Sequence, residues 1–339
     1  MKKLFIAIVA IAAAAACSNS EIVSVNREAI GFDNAFINNS VRSVIDPSYK
    51  YDTKMFADFA VYGFVTGENT APIFDGTQVS GPTWTYTGTQ YWVDGADYDF
   101  HAVAPLTDGN WTKTDATTET LSLSFENDGE TDLLYAINNY GTYNYVAGTA
   151  VGKVGFTFRH ALSKVKFTFV NAYNASNTKL AVKHIWIKNA YKNANVTFTA
   201  DNTTWGDHAD SSLQLQFMSA GTTQSSGQVV PTKLAVTEEA ESFYELLLIP
   251  GAVPSFKEGE ETVNGYKVEF AVDVYVNDIL VKTYNHVAAA NFTPVAGCSY
   301  DIKATLSHEN LDPEQAQEPI EFTVTNIGGW NTPDENPTM

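Results

Sequence analysis

The 339-residue chain is poor in cysteine, in charged side chains and in positive charge. Its two cysteines, Cys17 and Cys298, allow at most one disulfide and are too few for a structural zinc site with four Cys or His ligands. Charged residues make up 17% against 44% apolar residues, which excludes intrinsic disorder. With 20 Lys and Arg against 39 Asp and Glu, the net charge of −19 repels phosphate backbones, so we expect no nucleic-acid partner.

The chain also lacks the local sequence patterns of catalytic and cofactor sites. Its six histidines are scattered singly, and no nucleophile pattern surrounds them. A phosphate-binding glycine loop and a calcium-binding loop are missing from the sequence as well. We therefore predict a protein that is not an enzyme and that carries no cofactor or metal.

The first 17 residues have the pattern of an export signal. Lys2 and Lys3 precede an apolar run of 13 residues, Leu4 to Ala16, which is too short to span a membrane. Cys17 follows directly, as in the lipobox of bacterial lipoproteins, although Ala14 stands where the motif usually has leucine. This resemblance implies cleavage after the signal peptide 1–16, acylation of Cys17 and anchoring in the outer membrane. The alternative is an ordinary cleavage site with an incidental cysteine.

Most of the remaining chain alternates apolar and polar residues with a period of two, as strands with one buried face do. Clear examples are residues 59–65, 121–125, 154–158, 165–169, 243–249, 268–276 and 320–324. Clusters of Gly, Pro, Asn and Asp separate these runs, and no dozen-residue window has helical periodicity between capping residues. The pattern predicts an all-β fold of antiparallel β-sandwiches with few short helices.

The length favours two domains, since a domain usually has ~100–200 residues. A polar stretch, 138–152, lies near the middle of the chain and puts the boundary between Gly152 and Leu162. We expect an N-terminal β-sandwich that ends at residue 158 and a C-terminal β-sandwich over 159–339.

Aromatic residues between positions 84 and 98 allow two interpretations. The group consists of Trp84, Tyr86, Tyr91, Trp92 and Tyr98. Because exposed aromatic rings stack on sugars, an exposed Trp84 and Trp92 pair would make the chain a surface glycan-binding lipoprotein. The alternative is packing across the strands of a hairpin, which the alternation of Trp84 with Tyr86 favours.

Four motifs occur along the chain in one order. Residues 155–167, GFTFRHALSKVKF, follow the pattern F-x-F-x-H-x-L-x-K-x-x-F, and the other three motifs are residues 91–105, 245–250 and 320–330. Together with the lipobox they resemble the fimbrillin-like proteins, which are type V pilins of Gram-negative anaerobes. The resemblance implies two transthyretin-like β-sandwich domains and a structural pilus (fimbrial) subunit that supports adhesion. Stalk, tip and anchor subunits are not distinguished.

The same resemblance implies a route of assembly. In that family a trypsin-like protease removes an N-terminal strand from the lipoprotein precursor after a basic residue, and a strand of another pilin subunit fills the vacated groove. Arg42 is the expected cleavage site, and Arg27 is the alternative. Residues 17–42 then form a pro-segment, and residues 43–158 form the N-terminal sandwich. The removable strand presents three apolar residues on one face, Ile30, Phe32 and Phe36.

Two interpretations stay open for the C-terminal segment 320–330. Its alternating Ile320, Phe322 and Val324 are typical of a donor strand that adds to the open sheet edge of the next subunit. They are equally typical of the last strand of the chain's own domain. In either case we expect the protein in the fimbrium at the cell surface, within a homo- or hetero-polymer.

Overall fold

The structure is a computed structural model that describes residues 28–37, 57–66, 72–107, 109–146, 149–173, 175, 177–218, 224–225, 229–230, 245–312 and 318–329. Nearly all regular structure in these ranges is β-strand, and the single helix among them has four residues. The prediction of an all-β fold is thus confirmed. Within the same ranges no helix has the length and apolar character needed to cross a membrane.

Eight strands of the described residues precede residue 161. They are β1 Phe32–Ile37, β2 Asp58–Thr66, β3 Pro72–Ser80, β4 Asp97–Ala104, β5 Trp111–Ala116, β6 Leu121–Glu126, β7 Leu134–Thr142 and β8 Val154–His160. Six of them form one sheet in the order β1-β8-β7-β4-β2-β3. The period-two pattern has the expected consequence in β6, where Leu121, Leu123 and Phe125 are buried and the residues between them are more exposed.

The described residues after position 161 add fourteen strands and the helix. They are β9 Ser163–Asn171, β10 Thr178–Ala190, β11 Asn193–Phe198, β12 Thr203–Ala209, β13 Leu213–Met218, β14 Gln224–Ser225, β15 Val229–Val230, β16 Leu246–Leu248, β17 Ser255–Glu258, β18 Glu261–Asn264, β19 Tyr266–Val276, β20 Ile279–Ala290, β21 Cys298–Leu306, α1 His308–Leu311 and β22 Phe322–Gly329. One five-stranded sheet has the order β13-β10-β19-β20, with β14 beside β10. The other has the order β15-β9-β21-β22, with β16 beside β9, and β17 and β18 form a separate hairpin.

A four-stranded sheet, β12-β11-β6-β5, joins strands from both sides of the predicted domain boundary at residues 158 and 159. In it Val196 of β11 lies opposite Leu123 of β6, and the hydroxyls of Ser122 and Thr197 are 2.9 Å apart. The N-terminal sandwich therefore contains residues 193–209, and the division into 43–158 and 159–339 does not follow the sheets. Periodicity identifies strands, but it carries no information on which strands pair.

Among the residues that the structure describes, three apolar cores hold the sheets together. The largest lies between the two five-stranded sheets and contains Phe167, Phe169 and Ile302. The second lies between the six-stranded and four-stranded sheets. The third covers the opposite face of the six-stranded sheet, where the loop over residues 84–96 and the segment before β1 pack on it. Because the six-stranded sheet is buried on both faces, its central strands are apolar at successive positions.

Two strand pairs are parallel, which refines the expectation of antiparallel sheets. β1 runs parallel to β8, and β9 runs parallel to β21, whereas the other described ladders are antiparallel. β1 and β22 are both terminal in the order of their sheets. The first and last described strands are therefore edge strands of the two different sandwiches.

Candidate functional site

The segment 28–37 lies in an aromatic groove of the N-terminal sandwich. The Phe32 side chain is only 1% exposed, and Ile30 is equally buried. Five aromatic rings surround the ring of Phe32, with centroid distances of 5.3 to 6.5 Å: Phe59, Phe74, Tyr86, Phe100 and Phe156. We call this site the β1 groove and define it by these five residues together with Trp92.

Backbone hydrogen bonds hold the segment from two sides. On one side the amide of Ile30 donates to the carbonyl of Gln90 at 2.8 Å, and the amide of Trp92 donates to the carbonyl of Glu28 at 3.0 Å. On the other side the amide of Val154 in β8 donates to the carbonyl of Gly31 at 2.8 Å. The segment is therefore inserted between a loop and a strand rather than laid against one edge.

A side-chain hydrogen bond adds to this two-sided attachment. The Tyr86 hydroxyl donates to the carbonyl of Ile30 at 2.8 Å and accepts from the amide of Gln90 at 3.2 Å. The same phenol ring packs edge-on against Phe32 at 5.5 Å. Tyr86 thus links the loop, the segment and the aromatic groove, a role that the sequence did not indicate.

The proposed glycan platform is not available on the surface. Trp92 is 5% exposed, and its indole stacks on Tyr143 with 5.1 Å between centroids and an angle of 18° between planes. Trp84 is partly buried and packs against Phe59 at 5.3 Å. The burial of Trp92 contradicts the first interpretation, an exposed pair that stacks on sugars. The loop that carries both tryptophans covers the second apolar face of the six-stranded sheet.

The C-terminal segment forms the last strand of its own sandwich. In β22, Phe322 lies opposite Ala304 and Val324 lies opposite Ile302 of β21. The half-buried Phe322 ring contacts three phenylalanines at 5.8 to 6.2 Å, namely Phe167, Phe169 and Phe270. Ile320, which precedes the strand, is 8% exposed. In the single chain the segment therefore has an intramolecular partner, and its use as a donor stays a prediction.

Several predicted site residues lie outside the described residues. They are Cys17, Arg27 and Arg42. The backbone of Phe36 is described and pairs with Thr157 of β8, whereas its side chain is not described. Lipidation and proteolytic processing consequently stay predictions.

The histidine of the F-x-F-x-H pattern has an acidic partner that the sequence did not indicate. Nδ1 of His160 lies 2.5 Å from a carboxylate oxygen of Asp132, and both side chains are buried. The Asp132 carboxylate also accepts from the amide of Leu133 at 2.8 Å. Since the amide of Ala161 donates to the carbonyl of Leu133, these contacts join the start of β7 to the end of β8. The described residues contain no group of three metal-ligating side chains.

A family model matches most of the chain and includes the strands of both sandwiches except β1. The model of the fimbrillin-like family matches residues 51–330, and the chain belongs to that family. Membership confirms the resemblance seen in the four motifs and the expectation of a structural protein rather than an enzyme. A comparison with curated proteins finds no match.

Solved structures provide a comparison of the fold. A fimbrial protein from Bacteroides vulgatus matches at 16% identity with a TM-score of 0.54, over 90% of this chain and 100% of that chain. Candidate cell adhesion proteins from Bacteroides ovatus and Bacteroides uniformis match 90% of this chain at 16% and 14% identity, with TM-scores of 0.45 and 0.42. The matched regions extend over 98% of the Bacteroides ovatus chain and 99% of the Bacteroides uniformis chain. The similarity to the Bacteroides vulgatus protein shows that the two chains share a fold.

Proposed function

We propose that this chain is a structural subunit of a fimbria that supports adhesion and that assembles by donor-strand exchange. It is exported as an outer membrane lipoprotein acylated at Cys17, and a trypsin-like protease cuts it after Arg42. The segment 28–37 then leaves the β1 groove, and a strand of another pilin subunit replaces it. The observation that best supports this proposal is the insertion of Ile30 and Phe32 into an aromatic groove at a sheet edge.

An empty β1 groove is energetically unfavourable compared with a groove that another strand fills. Burying an apolar side chain such as Ile30 or Phe32 stabilises the fold by about 1.5–3 kcal/mol. Removing both side chains from the groove therefore costs about 3–6 kcal/mol of stabilising free energy. Loss of the segment also frees backbone groups of Gln90, Trp92 and Val154 that it now pairs. An extended strand of a second chain restores both kinds of interaction, which is the basis of β-augmentation.

The uncut chain provides its own protection against premature assembly. As long as residues 28–37 are continuous with β2 through the chain, they occupy the groove at a high effective concentration, and an incoming strand competes poorly. Cleavage after Arg42 removes that advantage. We therefore expect the intact precursor to be a monomer at the outer membrane and the processed chain to be a fimbrial subunit at the cell surface.

The processing step has a direct test. Limited trypsin treatment should convert the wild-type protein from a monomer to SDS-resistant oligomers, and the new N-terminus should be Ser43. Arg42→Ala should block the conversion, and Arg27→Ala serves as the matched control that should convert normally. Polymerisation of Arg42→Ala at the wild-type level, or a stable monomer after cleavage of the wild type, would contradict the proposal.

The lipid anchor is tested separately. Cys17→Ala should abolish fatty-acid labelling of the precursor and its partition into detergent. Cys298→Ala removes the other cysteine and should leave labelling unchanged. Stable anchoring needs more than one acyl chain, because a single chain gives only marginal membrane binding. Labelling that persists in Cys17→Ala would reject the lipoprotein part of the proposal.

A further inference from the structure

A cleft of about 550 Å³ opens where the N-terminal sandwich meets two loops of the C-terminal sandwich. Strands β7, β8 and β12 line one side of it, and the loops that follow β16 and β20 line the other. The volume is within the range of roughly 300–1,000 Å³ that is typical of small-molecule sites. Trp84 and Trp92 belong to the core on the opposite face of the six-stranded sheet, so this cleft is a different site from that pair.

Hydrogen bonds within the protein fix both walls of the cleft. The hydroxyl of Thr203 donates to the hydroxyl of Tyr135 at 2.7 Å and thereby joins β12 to β7. On the other wall, the amide of Gly251 donates to the carbonyl of Pro294 at 2.9 Å and joins the two loops. The cleft is therefore formed before a ligand enters, which lowers the cost of ordering on binding.

The cleft combines aromatic surface with exposed polar groups. Trp205 is half-buried, and its indole nitrogen donates to the carbonyl of Ala161 at 3.0 Å, so the ring offers mainly apolar contact to a ligand. Asp201 and Asn202 lie beside it in the turn between β11 and β12, and both side chains are exposed. A carboxylate and an amide can hydrogen-bond to sugar hydroxyls, while an aromatic ring packs against the sugar ring.

Arg159 adds a positive charge to the cleft. Its side chain is exposed and forms no ion pair with a described carboxylate, although the chain has 39 acidic and only 20 basic residues. His160, which also lines the cleft, is paired with Asp132. Asp201 lies in the same cleft and is not paired with Arg159. The guanidinium is thus available for a carboxylate, which it can bind through two parallel hydrogen bonds.

We infer that this cleft binds a saccharide that carries a carboxylate, such as a hexuronic acid. The carboxylate binds Arg159, the sugar ring lies against Trp205, and Asp201 and Asn202 bind sugar hydroxyls. The inference rests on the proposed role in adhesion and adds the chemical class of the receptor.

The charges of the site favour this class over neutral and more highly charged ligands. A neutral sugar would leave Arg159 without an anionic partner. A phosphate with two negative charges would be repelled more strongly than a single carboxylate, both by Asp201 and by the net charge of −19. One carboxylate among several hydroxyls matches one guanidinium beside acceptor groups.

A first test titrates the intact chain in a calorimeter with methyl β-D-glucuronide and with methyl β-D-glucoside. The two probes differ only at C6, where the first has a carboxylate and the second has a hydroxymethyl group. We expect the glucuronide to bind about tenfold more tightly or better, as for a hydrogen bond to a charged group. Equal affinities, or no binding of either probe, would overturn the inference.

A second test locates the bound probe. Arg159→Gln should abolish the preference for the glucuronide. Lys153→Gln removes an exposed positive charge just before β8 and outside the cleft, and it should keep that preference. In the wild type, the glucuronide should slow hydrogen exchange at the amides of residues 201–205 and leave the amide of Trp92 unchanged. An equal loss of preference in both variants, or protection that omits residues 201–205, would overturn the inference.

The inference and the proposed assembly fail in different experiments. Probe binding is measured on the intact chain, whereas assembly is measured after trypsin treatment. An intact chain that binds no probe but still forms SDS-resistant oligomers after cleavage overturns the inference alone. A chain that binds the glucuronide but stays monomeric after cleavage overturns the proposed assembly and supports the inferred site.

Discussion

The strands β1 and β22 place the same Ile-x-Phe pattern in two different environments. The β1 segment lies between β8 and the loop at Gln90, with hydrogen bonds on both sides, and Phe32 is 1% exposed. The strand β22 pairs with β21 on one side, Phe322 is half-buried, and Ile327 further along is 46% exposed. The difference arises from what covers each strand, since the apolar residues themselves are alike.

An edge position alone does not make a strand easy to displace. A strand with one paired side and half-buried rings opens at a lower free energy than one held from two sides in a closed aromatic groove. We therefore expect β22 to open at a lower free energy than the segment 28–37, which is held on two sides.

The largest expected effect separates the two phenylalanines. Phe32→Ala should lower the free energy of unfolding by about 3–5 kcal/mol, as for a fully buried aromatic side chain. Phe322→Ala should cost about half as much, because its ring is only half-buried. Urea unfolding of both variants measures the difference. Equal losses would show that the two sites are energetically alike.

A second prediction concerns acid stability in both sandwiches. Burial lowers the pKa of His101 and of His286, and each ring has a buried nitrogen without a hydrogen-bond partner among the described residues. An unfolded chain binds protons to both rings near pH 6.5, whereas the folded chain resists protonation. The free energy of unfolding should therefore keep its full value above about pH 7 and should fall as the pH decreases from about 7 to 5.

Substitutions at His101 and His286 test whether these two residues cause the pH dependence. His101→Gln and His286→Gln should each make the curve of unfolding free energy against pH less steep between about pH 7 and 5. A slope that equals the wild-type slope in both variants would exclude the buried histidines as its source.

A smaller effect tests the two-sided attachment of the β1 segment. Tyr86→Phe removes the hydroxyl that donates to the carbonyl of Ile30 and keeps the ring beside Phe32. The loss should be about 1 kcal/mol, typical of one hydrogen bond. Hydrogen exchange at the amides of Ile30 and Trp92 should accelerate, while exchange in β22 stays unchanged. Unaltered exchange at Ile30 would show that the loop does not depend on this bond.

The smallest expected effect concerns Glu321 in the single chain. Its side chain is exposed, so Glu321→Gln should change the free energy of unfolding by no more than about 0.5 kcal/mol. A large loss of monomer stability would mean that Glu321 acts within its own sandwich.

Local sequence patterns were sufficient to predict where strands occur. They were insufficient to predict which strands and side chains lie next to each other. The alternation in β6 and in β9 predicts strands with one buried face, and both strands have it. The pairing of β6 with β11 depends on chain segments about seventy residues apart, and the partner of His160 is Asp132, twenty-eight residues earlier. Such contacts leave no periodic signal.

The sequence by itself determined the all-β class, because a period of two in side-chain polarity reflects the alternation of faces in a strand, and its ordered motifs determined the family. Only the tertiary structure decided that Trp92 is buried, that β11 and β12 join the N-terminal sandwich, and that Phe32 lies in a closed groove. These features depend on which elements cover each face. That outcome is a property of the packing of the whole chain, since the exposure of a residue depends on neighbours that are distant in sequence.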